Sequence, residues 1–161
     1  MGRTAEVNDE LGSRLIAAHL VRELMKLCFL LERQYWPYAK WFGSAFSQVT
    51  GDDGLRAILA RVIDAPNYLK REAALCEAYE RVASRHNAAH VSEPVDPSTR
   101  EFYGRGFLVL MADRFVDACL AEISDPWLRK QPLIGSVDQF VESTDALYPD
   151  RTRRLGTMYL T

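Results

Sequence analysis

Three side chains near the middle of the sequence could do acid–base or phosphate chemistry together. Arg85, His86 and His90 fall within the run Arg-His-Asn-Ala-Ala-His. An imidazole titrates near neutral pH and can accept or give a proton, and a guanidinium carries a permanent charge that pairs with phosphate. Arg85 and His90 are therefore candidate catalytic residues for phosphodiester cleavage, with the imidazole as base for a 2′-hydroxyl.

The spacing of Arg85 and His90, with a polar residue directly after the arginine, resembles the signature of the HEPN superfamily. The resemblance implies a small helical bundle that cuts RNA near the cleft of a dimer. His90 falls where the helical pattern gives way to a segment with two prolines, 89–99. Cleavage of RNA by Arg85 and His90 is therefore one alternative function.

His86 and His90 also have the spacing that presents two imidazoles on one helix face to zinc. Asn87 stands where a zinc protease has its glutamate, His19 is the remaining histidine, and no cysteine pair lies nearby. The sequence therefore predicts no metal site formed by these residues.

Two Gly-Ser pairs raise the nucleotidyltransferase pattern, in which a Gly-Ser turn precedes Asp-x-Asp carboxylates that hold two magnesium ions. Gly43–Ser44 is followed by the adjacent acids Asp52 and Asp53, and Gly135–Ser136 is followed by Asp145, with Leu147 in place of a second acid. A GxxxxGK phosphate loop is absent as well. We expect no cofactor on this chain alone, and a nucleotide with Mg²⁺ only where a catalytic domain is supplied.

The remaining candidates for contact with a ligand or a partner are polar or aromatic residues, and they form two groups. The first group, in an aromatic cluster at 35–42, is Lys40 and Trp41. Lys40 there either binds a phosphate beside a stacking ring or covers the core of a bundle corner. The second group is Arg71, Glu72, His86 and Asn87, which either contact a ligand or form a polar network that specifies the core.

Apolar residues at three- and four-residue steps predict the helices that position these candidates. Predicted helices cover 10–34, 37–49, 55–64, about 67–88, about 106–124 and 136–147. Asn67 is a predicted N-cap, and Ser136 with Gln139 matches a capping box. Segments 89–99 and 125–135 are predicted loops, and neither alternating strands nor β-hairpin signals are present. The sequence predicts an all-α fold, a single bundle of five to six helices over residues 1–161.

Composition limits the function classes. The chain has 161 residues, 48% hydrophobic, with 20 basic and 22 acidic residues, which suits one globular domain and gives no overall attraction to nucleic acid. No apolar run approaches a membrane span of about 20 residues. The odd count of three dispersed cysteines predicts free core thiols in a reducing compartment. We expect a cytoplasmic protein that binds neither membrane nor nucleic acid.

Three blocks carry a second resemblance: the run from Asp9 that includes KWFGSAF, the run REAALCEAYERVASRHN, and GSVDQFVESTDAL. From about Asp9 to Leu147 the chain resembles a bacterial helical domain of unknown function that follows a nucleotidyltransferase-like domain. Such two-domain proteins look like aminoglycoside nucleotidyltransferases, whose helical half completes the nucleotide and acceptor pocket. The resemblance implies a fold like that of a nucleotidyltransferase substrate-binding domain.

The resemblance also implies a partner, a nucleotidyltransferase-like domain in cis or in trans. We expect a helical accessory domain without its own catalytic metal site, and an exposed apolar or charged face that docks the catalytic domain. The alternatives are the HEPN-like ribonuclease and a non-enzymatic helical protein that interacts with itself as a homodimer.

Overall fold

The computed structural model describes residues 1–51, 54–131 and 133. The helices in these residues are α1 (Gly2–Glu6), α2 (Glu10–Leu31), α3 (Ala39–Thr50), α4 (Leu55–Asp64), α5 (Tyr68–Ala88), α6 (Asp113–Glu122) and α7 (Pro126–Arg129). The strands β1 (Arg100–Glu101) and β2 (Leu108–Val109) pair antiparallel between α5 and α6. The predicted all-α bundle is confirmed, with α2 to α6 as its longer helices.

Side-chain caps fix the beginnings of the two longest helices. The Asp9 carboxylate accepts a hydrogen bond of 2.8 Å from the backbone N–H of Gly12 at the start of α2. The amide oxygen of Asn67 accepts one of 3.1 Å from the N–H of Lys70 at the start of α5. Each cap satisfies a backbone donor that has no partner inside the helix. The N-cap predicted at Asn67 is therefore confirmed.

The core lies where α2, α4 and α5 pack against one another, with α3 closing one side. Its fully buried side chains include Cys28, Phe29, Phe46, Leu55, Val62 and Ala78. Phe29 of α2 stacks on Phe42 of α3 at a centroid distance of 5.7 Å. Apolar burial of this kind is the main favourable contribution to folding. The packing of α2, α4 and α5 therefore fixes the positions of the side chains that these helices carry.

The predicted helix 10–34 is three residues too long. After α2 ends at Leu31, Arg33 adopts a left-handed φ of 56°. The N–H of Gln34 then bonds back to the carbonyl of Phe29 at 2.9 Å. A left-handed residue with such a back-bond is a common helix ending. The chain turns there and reaches α3 through an extended segment.

The helix predicted over about 106–124 is wrong in its first third, because α6 begins at Asp113. Residues 102–107 instead form a turn, in which the Phe102 N–H bonds to the Phe107 carbonyl at 3.0 Å and their rings stack at 5.3 Å. Gly104 and Gly106 supply the left-handed φ values of 72° and 73° that this turn requires. The pairing of β1 with β2 follows on either side of the turn, so the prediction that no strands occur was wrong as well.

Two short helices were also not predicted: α1, and α7 inside the predicted loop 125–135. A Cβ added to Gly2 of α1 would lie 2.5 Å from the Phe107 ring, so glycine allows α1 to lie against the hairpin. The Asp125 carboxylate caps α7 and Pro126 begins it. The predicted helix 136–147, with its capping box, lies outside the described residues.

Candidate functional site

Four of the six predicted contact residues lie on α5, and Arg71 is the most buried of them. Its side chain is fully buried. One guanidinium nitrogen, Nη1, donates to Ser13 Oγ at 2.7 Å, and Nη2 donates to the Glu10 carboxylate and to the Ala65 carbonyl at 3.3 Å. The hydrogen bond from Arg71 lowers the pKa of Glu10. Arg71 therefore joins α2 to the α4–α5 junction, and a ligand could reach it only by breaking these bonds.

Glu72 anchors the hairpin to α5. Its carboxylate accepts hydrogen bonds from the Tyr68 hydroxyl and, at 3.1 Å, from the backbone N–H of Leu108 in β2. Burial and the bond to Glu72 raise the pKa of Tyr68. The predicted inward position of Glu72 is explained by these two structural contacts.

Asn87 holds the loop that follows α5. Its side-chain amide donates to the Val95 carbonyl at 2.7 Å and accepts from the Val95 N–H at 3.1 Å. Both hydrogen-bonding groups of one backbone residue are thus satisfied by one side chain. Arg71, Glu72 and Asn87 bond to different parts of the molecule, and a single polar network along α5, as the sequence suggested, is not formed by these contacts.

His86 faces α6, and its side chain is 7% exposed. Its Nε2 lies 3.3 Å from Cys119 Sγ, and its ring meets the Phe115 ring edge-on at 5.2 Å. Its Nδ1 is buried without a hydrogen-bond partner among the described residues. His86 is thus an imidazole placed in apolar surroundings, with one thiol as its polar neighbour.

A groove of about 380 Å³ opens beside His86. We call it the α6 groove, because α6 forms one wall and α2 and α5 form the other. Its lining includes Leu24, Leu27, Val82, Phe115, Val116 and Leu120, together with His86, Cys119 and Leu133. The volume falls within the range of small-molecule sites, and the lining offers dispersion contacts rather than hydrogen bonds.

Lys40 and Trp41 lie at the exposed start of α3. Lys40 Nζ is 5.1 Å from the centre of the Trp41 ring, whose Nε1 donates to the Tyr38 hydroxyl at 3.1 Å. A second lysine in this region is buried: Lys26 Nζ lies 5.3 Å from the Trp36 ring and 2.9 Å from the Glu23 carboxylate. The lysine that covers the aromatic corner is thus Lys26, whereas Lys40 and Trp41 keep exposed surface for a ligand.

Arg85 and His90 lie at the end of α5. The Arg85 guanidinium donates to the Glu32 carboxylate at 2.9 Å. His90 is exposed just after the helix, with a left-handed φ of 51°. The Glu32 carboxylate offsets part of the charge that the ribonuclease hypothesis assigns to a phosphate.

Arg114 is an organising residue that the sequence reasoning missed. Its guanidinium donates to the carbonyls of Leu110 at 2.8 Å, Asp96 at 3.0 Å and Ser98 at 3.4 Å. It thereby holds the loop before β1 against the start of α6. An arginine inside a predicted helix gives no sign of such a role. The run Asp-Pro-Ser at 96–98 does indicate a turn, in which the Asp96 carboxylate accepts hydrogen bonds from the N–H and the hydroxyl of Ser98. These hydrogen bonds lower the pKa of Asp96.

The N-terminal half of α2 presents apolar side chains away from the core. Leu11, Leu15 and Ala18, which we call the α2 face, recur at four- and three-residue steps and are exposed, with Leu11 at 70% and Leu15 at 65%. Residues at these steps share one side of a helix. The buried side of α2 carries Ser13, Ala17, Val21, Leu24 and Cys28. The α2 face is therefore available to another surface.

Two further properties concern the described residues only. Among them, no group of three His, Cys, Asp or Glu side chains is arranged to hold a metal ion. None of their helices combines the length and the apolar character that crossing a membrane requires.

Comparison with known proteins gives one partial similarity. The family described as a domain of unknown function (DUF4037) matches residues 1–42, about a quarter of the chain. No curated protein and no solved structure matches the chain. The matched segment runs from α1 through α2 to the first turn of α3, and it contains the α2 face together with Lys40 and Trp41.

Proposed function

We propose that this chain is a helical accessory domain of a nucleotidyltransferase-type protein, and that the catalytic domain, in cis or in trans, docks on the α2 face. The observation that supports this is the exposure of Leu11 and Leu15 on one side of α2. Both leucines lie within the segment matched by a family of unknown function. The resemblance of the sequence to helical domains that follow a nucleotidyltransferase-like domain supports the same proposal.

Docking on this face has a clear driving force. Burying a leucine side chain that was exposed contributes about 1.5–3 kcal/mol. An amphipathic helix commonly binds through side chains at such three- and four-residue steps. Leu11 and Leu15 therefore supply a central apolar contact around which polar residues can form the rim of an interface.

In this proposal the catalytic carboxylates and their Mg²⁺ belong to the partner domain. Of the six predicted contact residues, Lys40 and Trp41 are the ones whose exposed side chains can add to a shared nucleotide site. The ammonium group suits a phosphate and the indole ring suits a base. Arg71, Glu72 and Asn87 hold the fold that presents them.

A binding experiment tests the docking face with a matched pair of variants. The probe is the catalytic domain of a two-domain protein of the kind that the sequence resembles, expressed without its own helical half, and its binding is measured by calorimetry. Leu15→Asp should weaken binding at least about tenfold, because it loses the burial of one leucine. Leu69→Asp is the control, since Leu69 of α5 is equally exposed, at 73%, but lies outside the α2 face. It should change binding less than about twofold.

Equal binding by Leu15→Asp and Leu69→Asp would remove the α2 face from the proposal. Label transfer from ATP distinguishes the accessory role from a catalytic one. The chain alone should transfer no AMP to an acceptor, and the reconstituted pair should do so in a Mg²⁺-dependent way. Transfer by the purified chain alone would contradict the accessory role.

A further inference from the structure

The α6 groove leaves an apolar surface exposed to solvent. Leucine, valine and phenylalanine side chains from three helices line it, and the polar groups beside them are few: His86 Nε2 lies 3.3 Å from the Cys119 thiol. A concave apolar site of about 380 Å³ has the volume of a typical binding site. A groove between helices suits the apolar side of another helix, which offers side chains at three- and four-residue steps.

The chain itself continues from the rim of this groove. Leu133 is part of the groove lining, and residues 134–161 follow it. Val137 is the fourth residue after Leu133, and an extended chain spans at most about 14 Å over that distance. Val137 therefore lies within about 14 Å of a residue that lines the groove.

The sequence of 136–147 has the pattern that such a groove requires. With 3.6 residues per turn, one side of a helix carries Val137, Phe140, Val141 and Leu147, with Thr144 between them. The other side carries Asp138, Gln139, Glu142, Asp145 and Ala146. A short helix with this division is stable only when its apolar side packs on something.

We infer that the apolar side of residues 136–147 binds in the α6 groove and completes the bundle in cis. The occupant is this segment rather than a small apolar ligand or a second copy of the chain. The inference does not depend on docking at the α2 face. It assigns Phe140 and Val141 to the wall formed by Phe115, Val116 and Cys119.

Cys119 is a built-in reporter for this contact. It lines the groove, whereas Cys28 and Cys76 are buried in the core. The rate at which iodoacetamide alkylates each thiol is measured by mass spectrometry in the full chain, folded and in denaturant. In the folded chain we expect all three thiols to react at least about tenfold more slowly than in denaturant.

Two variants, each of which introduces one aspartate, test the apolar and the polar side of residues 136–147 separately. Val141→Asp places a carboxylate on the apolar side and should speed alkylation of Cys119 at least about tenfold, because burying that charge in the groove is costly. Ala146→Asp places it on the polar side and should leave the rate within about twofold. Cys28 must stay protected in both variants. If Val141→Asp exposes Cys28, Val141→Ala replaces it and should give a smaller acceleration at Cys119 alone.

Three results would overturn the inference. The first is a Cys119 that reacts in the folded full chain as fast as in denaturant. The second is equal Cys119 rates in the Asp variants at positions 141 and 146. The third is protection that falls on dilution, because it would assign the groove to a second copy of the chain.

Discussion

The two ends of α5 are held by different kinds of contact. At the N-terminal end, the fully buried Arg71 donates hydrogen bonds to a hydroxyl and a carboxylate of α2 and to the backbone carbonyl of Ala65. At the C-terminal end, His86 packs on the Phe115 ring and one thiol in an apolar groove. Both residues fall on the inward side of one helix, and for both the sequence left open whether they contact a ligand or form a polar network in the core.

The difference shows that a polar residue on an inward stripe has no single meaning. The hydrogen bonds that Arg71 donates fix the register of α2 against α5, because the planar guanidinium group directs its N–H donors at fixed angles. Apolar contacts around His86 fix no such register, because the hydrophobic effect is non-directional. We therefore expect substitutions to cost most at the N-terminal end of α5 and least at the C-terminal end.

The largest expected effect is that of Arg71→Ala. It leaves a cavity and removes the partner of Ser13 and Glu10, and we expect it to lower the free energy of unfolding by about 2–4 kcal/mol. Urea denaturation measures the change. The control is Arg61→Ala, which removes an exposed ion pair of 2.6 Å with Glu77 and should cost less than about 1 kcal/mol. Similar costs for the two variants would mean that burial of Arg71 has no consequence for stability.

The regular helices could be predicted from the sequence, since their signals are local. Helix 55–64 was predicted with the bounds that α4 has, and the cap at Asn67 gave the start of α5. The segment 100–112 could not be predicted as it is. Each of its strands has two residues, too few for an alternating pattern, and its turn depends on Phe107 packing against Gly2, far away in sequence.

The sequence could predict which residues of α5 point inward, but not which residues of other helices they contact. The sequence pattern placed Glu72 and His86 on the inward side of α5, where His86 is buried and Glu72 is half-buried. It could not place Glu10 and Ser13 beside Arg71, because those contacts join α2 to α5 across about 60 residues. For Lys40 the sequence left open whether it binds a phosphate or covers the aromatic corner, and the structure places Lys26 over the Trp36 ring there.

The second expected effect is a pH dependence at the N-terminal end of α5. The hydrogen bond from Arg71 holds the pKa of Glu10 below its ordinary value of 4.5. The folded state therefore binds this proton less readily than the unfolded state, and the stabilisation is present above about pH 4.5 and lost as pH falls through the lower folded pKa. Urea denaturation of Glu10→Gln between pH 7 and pH 3 should show a weaker fall in stability than wild type. A fall in Glu10→Gln as steep as that of wild type would contradict this role of Glu10.

The smallest expected effect is at the C-terminal end of α5, where His86→Leu should raise the free energy of unfolding by up to about 1 kcal/mol. Leucine fills most of the same volume and removes a ring nitrogen, Nδ1, that has no partner among the described residues. His86→Ala, measured beside it in urea, should instead destabilise the protein, because it opens a cavity against Phe115. A loss of more than about 1 kcal/mol in His86→Leu would mean that this imidazole is held by polar contacts as Arg71 is. The two ends of α5 would then be alike, and the α6 groove would have to supply a hydrogen-bonding partner as well as an apolar surface.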